Sequence, residues 1–219
     1  MATWLSIVND LQTRLRETSS VTVDTTTYSS LLGNLVNQAK AIVEDAWDWH
    51  CLRTILSFNT SSGTASYTIT GSNERSRFFT PTREIYNDTN DGIIYPAPDW
   101  FIDQQTYMGT TDNGLPSFYR IRGISSGELQ ITFFPTPGGT YTMRIPMVVP
   151  QSDLAADATV LTVPVSPVRE RAYVLALRER GEDGGTAFAE ADKFANDVLF
   201  QSVMRDMEFN PDEANAVLA

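Results

Sequence analysis

The chain has 219 residues, 42% of them hydrophobic and 20% charged, ordinary globular material long enough for a substantial core in one large domain or two small ones. A formal net charge of −11 argues against a basic nucleic-acid binder, and no apolar run approaches the roughly 18 residues of a membrane-spanning helix. One cysteine, Cys51, excludes an internal disulfide and a cysteine-based metal cluster; with no basic leader in view, folding in a cytoplasm is expected.

The acidic excess is concentrated late, with 13 Asp plus Glu against 6 Lys plus Arg from Gln151 to Ala219. A solvated acidic surface accounts for it, and so does a surface that DNA must slide past without sticking. Of 16 basic residues only Lys40 and Lys193 are lysine, and the bias to arginine suits protein interfaces.

Thr3 can cap a first helix whose stripe is Trp4, Ile7, Val8, Leu11 and Leu15. Residues 17–27 are a Ser/Thr-rich connector. Tyr28, Leu31, Leu32, Leu35, Val36, Ala39, Ile42, Val43, Ala46 and Trp47 then recur at three- and four-residue steps, which predicts one face of a long helix. Lys40, Glu44 and Asp45 fall mostly off that face. Trp47-Asp48-Trp49 breaks the pattern, and Leu52 to Phe58 continues as a β-favouring run. Trp47 and Trp49, with Trp100 from further along, are expected to fill a seam between a helical and a β layer. Cys51 reads there as a small core residue and His50, the sole histidine, as structural.

A turn at Ser61-Ser62-Gly63 predicts a hairpin joining Leu52 to Phe58 with Ala65 to Thr70. Residues 71–76 read as polar loop. Arg83 to Asn87 and Gly92 to Tyr95 are short strands about Asp88-Thr89-Asn90-Asp91, and Asp99 to Met108 is a short helix. Ser117 to Arg122, Leu129 to Phe134 and Tyr141 to Val149 alternate as an antiparallel meander, followed by an irregular strand region at Leu154 to Val163.

Ser166 as cap and Pro167 at the first helical position start a further helix with Val168, Ala172, Leu175 and Ala176 inward, which Gly181 stops. The last helix turns Phe188, Ala191, Phe194, Ala195, Val198, Leu199 and Val203 inward, and periodicity ends at Met207. The expected class is α+β: an antiparallel four-helix bundle of N- and C-terminal helix pairs with a central antiparallel β-rich, sandwich- or barrel-like insertion. The expected boundaries are residues 1–50 and 164–208 for the bundle, 51–163 for the insertion and 209–219 for an extended tail.

Catalytic chemistry is not evident, and no catalytic, cofactor-binding or metal-binding residue is assigned. Gly123-Ile124-Ser125-Ser126-Gly127 matches the G-x-S-x-G nucleophile elbow, but it joins two strands and no histidine follows. Asn87 to Gly92 resembles a calcium loop faintly, with Thr89 at a ligand position and Pro98 where a glutamate belongs. Gly181-Glu182-Asp183-Gly184-Gly185 lacks the Gly-Lys-Ser/Thr of a phosphate cradle, and Glu84, Asp99 and Asp103 are a carboxylate trio of the kind any acidic chain offers.

Tyr95-Pro96-Ala97-Pro98-Asp99-Trp100-Phe101, Gly114-Leu115-Pro116-Ser117-Phe118-Tyr119 and Leu129 to Pro137, taken with Trp47-Asp48-Trp49 and Leu161 to Pro164, form an ordered series along nearly the whole chain. It resembles the head-to-tail adaptor (connector) proteins of tailed bacteriophages, tail tubular protein A type. The loop from Thr70 to Thr82 departs from that pattern by its elaboration. The resemblance implies a non-enzymatic structural virion protein of the neck. It implies a homo-oligomeric ring, typically of twelve copies, that binds the portal protein on one side. The tail nozzle, tail tube or terminator protein lies on the other, and DNA passes through the lumen. The acidic charge fits such a lumen, because it repels the duplex. Arg205, Phe209, Pro211, Val217 and Leu218 are the candidates for the portal interface. The alternative is a receptor- or carbohydrate-binding tail accessory that stacks Tyr95, Trp100 and Tyr107 on sugars.

Overall fold

A computed structural model describes residues 2–80, 82–107 and 113–208. The chain divides into two compact units, Met1–Leu52 with Gln151–Ala219 and Arg53–Pro150. Residues 151–163 therefore belong with the helices. They form no strand beyond an isolated bridge between Thr3 and Val160.

In the first unit, α1 (Trp4–Arg14) begins at Thr3, whose hydroxyl accepts the Ser6 amide at 3.3 Å, and buries Trp4, Ile7, Val8 and Leu11 as its spacing predicts. A 3₁₀ turn at Val23–Thr25 leads to α2 (Thr27–Ala46). Thr26 and Ser29 cap α2 reciprocally, each hydroxyl accepting the other's amide, at 3.0 and 2.9 Å. Gly33 lies mid-helix because nothing larger fits. A Cβ there would stand 2.6 Å from Val23 and 2.8 Å from the Trp4 ring, whose indole N–H donates to the Gly33 carbonyl at 3.3 Å.

α4 (Val165–Glu179) starts behind Pro164, so Ser166 lies inside its first turn and caps nothing. Gly181, at φ 73°, ends it with the Glu182 amide donating to the Leu177 carbonyl and the Gly181 amide to that of Arg178. α5 (Thr186–Met207) follows.

The expected four-helix bundle does not form. α4 packs against both α2 and α5, which is why it buries Val174 and Leu177 as well as Val168 and Ala172, but among the described residues α5 has only α4 as a substantial helical neighbour. With one helix to pack on, α5 fully buries few residues, among them Ala195, and Phe194, expected inside, is 55% exposed. The described residues instead form an α+β chain of five helices and a curled, mixed sheet resembling half a barrel.

That sheet fills the second unit. Its strands are β1 (Arg53–Asn59), β2 (Ser66–Thr68), β3 (Arg77–Phe78), β4 (Ile85–Asn87), β5 (Gly92–Pro96), β7 (Phe118–Ser125), β8 (Glu128–Phe134) and β10 (Thr142–Val148). β6 (Asn113–Gly114) and β9 (Thr136–Pro137) pair separately, and α3 is Asp99–Tyr107. The order is β1-β10-β4-β5-β7-β8-β2, with β3 also on β10. Three expectations change. β5 and β7 run parallel, so the unit is not purely antiparallel. β1 and β2 are no hairpin but opposite edges of one sheet, with the Phe58 and Tyr67 rings 5.5 Å apart. β10 leaves the β7–β8 pair for β1. β3 lies just past the loop read at residues 71–76.

The core is one face of the sheet: Ile85, Ile94 and Tyr119, with Leu129, Ile131 and Phe133 at two-residue steps along β8 and Met143, Ile145 and Met147 likewise along β10. Pro146 explains why β10 changes neighbours. Thr142 accepts the Asp88 amide, so ladder alternation makes Arg144/Tyr86 the next bonded pair and puts Pro146 where β4 would need an N–H. Proline has none. β4 pairing stops at Arg144, β3 takes over at Met147, and the sheet parts between them.

Candidate interaction face

The register places two rows of side chains on the sheet face opposite the core. Ile55 and Pro146 are paired across β1 and β10, and the same row runs on through Glu84 to Tyr95. Beside it runs Ser57, Arg144, Tyr86 and Ile93. Apolar groups on this face are uncovered, with Ile55 62% and Ile93 46% exposed. Where the sheet parts at Pro146, the face sinks into a cavity of ≈ 350 Å³ lined by Ile55, Thr80, Thr82, Glu84, Ile85, Tyr86, Ile93, Arg144 and Pro146.

The polar groups at its rim are mostly engaged with one another. Arg144 Nη2 lies 2.7 Å from Asp88 Oδ2, and the Tyr86 hydroxyl donates to Asp91 Oδ1 at 2.7 Å. That hydrogen bond, more than burial or the carboxylates nearby, raises the Tyr86 pKa. Asn87 Oδ1 accepts the Thr89 amide. The Asn87 to Gly92 segment is thus a tied turn between β4 and β5, its acids spent on Arg144 and Tyr86. Glu84 has no ion-pair partner among the described residues. An apolar hollow with one uncommitted carboxylate suits the capture of an apolar side chain beside a cation.

The other sequence-selected residues lie elsewhere. Trp49 is fully buried, its indole N–H donating to the Val43 carbonyl at 2.7 Å. Trp47 donates to Asp206 Oδ2 at 3.0 Å, and that same oxygen accepts the His50 amide at 3.0 Å. Trp100, expected to pack in a seam, is 66% exposed on α3, and Cys51, expected in the core, is exposed. Arg205 is exposed in the last turn of α5, while Phe209, Pro211, Val217 and Leu218 lie outside the described residues. Asp103 of the carboxylate trio is held at 2.7 Å by Arg120. The side chains of Asp99 and Tyr107 lie outside the described residues. Gly123 to Gly127 ends β7 in a turn with Ser126 and Gly127 at φ 54° and 82°.

A second cavity, ≈ 360 Å³, gathers Arg14, Arg16 and Arg180 in the first unit. Its charge is largely cancelled. Arg14 grips Glu170 with two bonds of 3.0 and 2.8 Å, and Arg180 lies 3.0 Å from Glu182 and 3.8 Å from Glu17. Among the described residues no group of three His, Cys, Asp or Glu is placed to hold a metal ion, and no helix is long and apolar enough to cross a membrane. No family model and no curated protein matches this chain.

Sequence reading missed this face. Its signal was Pro146 inside an otherwise regular strand, a position that demands a break in pairing.

Proposed function

We propose that this chain is a structural subunit of a head-to-tail adaptor ring in the virion neck of a tailed bacteriophage, bound to the portal protein above and to a tail component below. The observation that carries the reading is the uncovered apolar sheet face with its hollow at Pro146, a surface built for protein contact. The motif series from Trp47 to Pro164 supports the same reading. So does the net charge of −11, which suits a channel that DNA passes through during packaging and ejection. The exposed Arg205 at the end of α5, with the segment 209–219 after it, is the portal-facing candidate.

Electron microscopy of the purified chain mixed with portal protein tests the reading. A closed annulus on the portal, lost or weakened when residues 209–219 are deleted, is the expected result. Unattached monomers would refute it. The exposure of Trp100 and Tyr95 favours one second reading, a glycan-binding tail accessory. That reading predicts a monomer or trimer retained on a glycan array, with retention lost on Trp100→Ala.

A further inference from the structure

We propose that the hollow at Pro146 receives the outward stripe of α5, centred on Phe200, from a second copy of this chain in a head-to-tail contact. The proposal rests on the ring reading above and supplies that ring's repeating joint. Its starting point is that each unit leaves a complementary feature uncovered.

Along α5, Lys193, Phe200 and Met204 follow one another at steps of seven and four residues and so share one line of the helix surface. They lie away from Ala195, which is buried, and Phe200 is 65% exposed. An exposed phenylalanine flanked by an exposed methionine is an apolar knob, and the second unit offers an apolar socket. Their dimensions agree. From Lys193 to Met204 the helix rises about 16 Å, and from Ile55 on β1 to Tyr95 on β5 the face crosses three strand spacings, about 14 Å.

Charge selects the pairing. Glu84 in the socket and Lys193 on the stripe each have no ion-pair partner among the described residues. Asp197, one turn before Phe200, would join Asp88 on the Arg144 guanidinium at the same rim. Two copies that each carry −11 repel at a distance, so a contact that matches opposite charges locally is favoured over one that does not. A stripe-to-stripe contact would set Lys193 near its own copy and leave Glu84 unanswered. Joining two different surfaces also leaves one of each free, which lets the chain continue into a closed ring.

The test uses two full-length variants at outward positions, Phe200→Glu and Ile55→Glu, each checked for an unchanged thermal melt. Native mass spectrometry over a concentration series is expected to show wild type forming higher oligomers and each variant alone staying monomeric. An equimolar mixture should form dimers and nothing longer, because each variant keeps one good surface. Glu84→Lys is expected to weaken wild-type association by about tenfold or more, and adding Lys193→Glu to restore it. The proposal is overturned if wild type stays monomeric, if either variant alone assembles like wild type, or if the mixture stays monomeric. The portal mixture separates the two levels. An annulus formed equally well by Phe200→Glu sinks this contact and leaves the adaptor reading standing. Dimers in the mixture with no annulus on the portal do the reverse.

Discussion

The Lys40 ammonium lies 3.5 Å from the Glu44 carboxylate, one turn along α2, and both side chains are wholly enclosed. The pair holds down the segment that returns from the sheet. Lys40 Nζ donates to the carbonyls of Gln151 at 2.6 Å and Ser152 at 3.3 Å, while Glu44 Oε1 accepts the Gln151 amide at 3.1 Å. Asp153 adds a carboxylate at 3.9 Å. Removing one member strands a buried charge. Lys40→Ala is expected to cost about 3–5 kcal/mol in urea unfolding, and the double change Lys40→Met with Glu44→Leu less than the sum of the single changes.

Gly33→Ala should destabilise although alanine is the better helix former by about 1 kcal/mol. The new methyl would overlap both Val23 and the Trp4 ring. A net loss of about 1–3 kcal/mol is expected, with a changed Trp4 indole signal in NMR. An unchanged melting temperature would show that Val23 and the Trp4 ring can shift to admit the methyl.

Asp206 joins the end of α5 to the Trp47–His50 segment by accepting two N–H groups on one oxygen. Asp206→Ala is expected to cost about 1–3 kcal/mol and to speed exchange of the Trp47 indole hydrogen. Asp206→Asn, which keeps an oxygen acceptor, should lose less.

Two phenols tie stability to alkaline pH. Tyr119 is raised far above its ordinary 10.0 by burial, its hydroxyl donating to the Arg83 carbonyl, and Tyr86 is raised by its bond to Asp91. A folded-state pKa above the unfolded one means that the folded chain holds the proton more tightly. The contribution is therefore complete below about pH 10 and is lost as pH rises through the folded values. Urea midpoints should stay flat with respect to these groups up to about pH 10 and decline above it, and the decline should be shallower in Tyr119→Phe. Asp91→Asn should bring the Tyr86 titration, followed by absorbance, back down toward 10.

Local signals were legible where local physics decides. Thr3 and the Trp4-to-Leu15 stripe gave α1, Gly181 ended α4, and the turn at Ser125 to Gly127 gave the β7–β8 pair. The errors share one cause, a partner distant in sequence. Lys40 and Glu44 read as surface because nothing near them reveals the Gln151 carbonyl. β1 was matched to β2 through a plausible turn, but its true mate is β10. Phe194 read as core because a periodicity tells that a face exists, not that a neighbour covers it. The candidate face was marked only by Pro146, a residue whose meaning depends on which strands flank it.

The separation of β1 from β10 has a consequence for synthesis. On the ribosome, β1 emerges early and has no hydrogen-bonding mate until residues 142–148 have been made, so no quick local zipper can start this half-barrel from its first strand. The growing chain carries an open strand edge through most of the unit's translation, and that interval is when a chaperone or a wrong neighbour has its best opportunity to seize it.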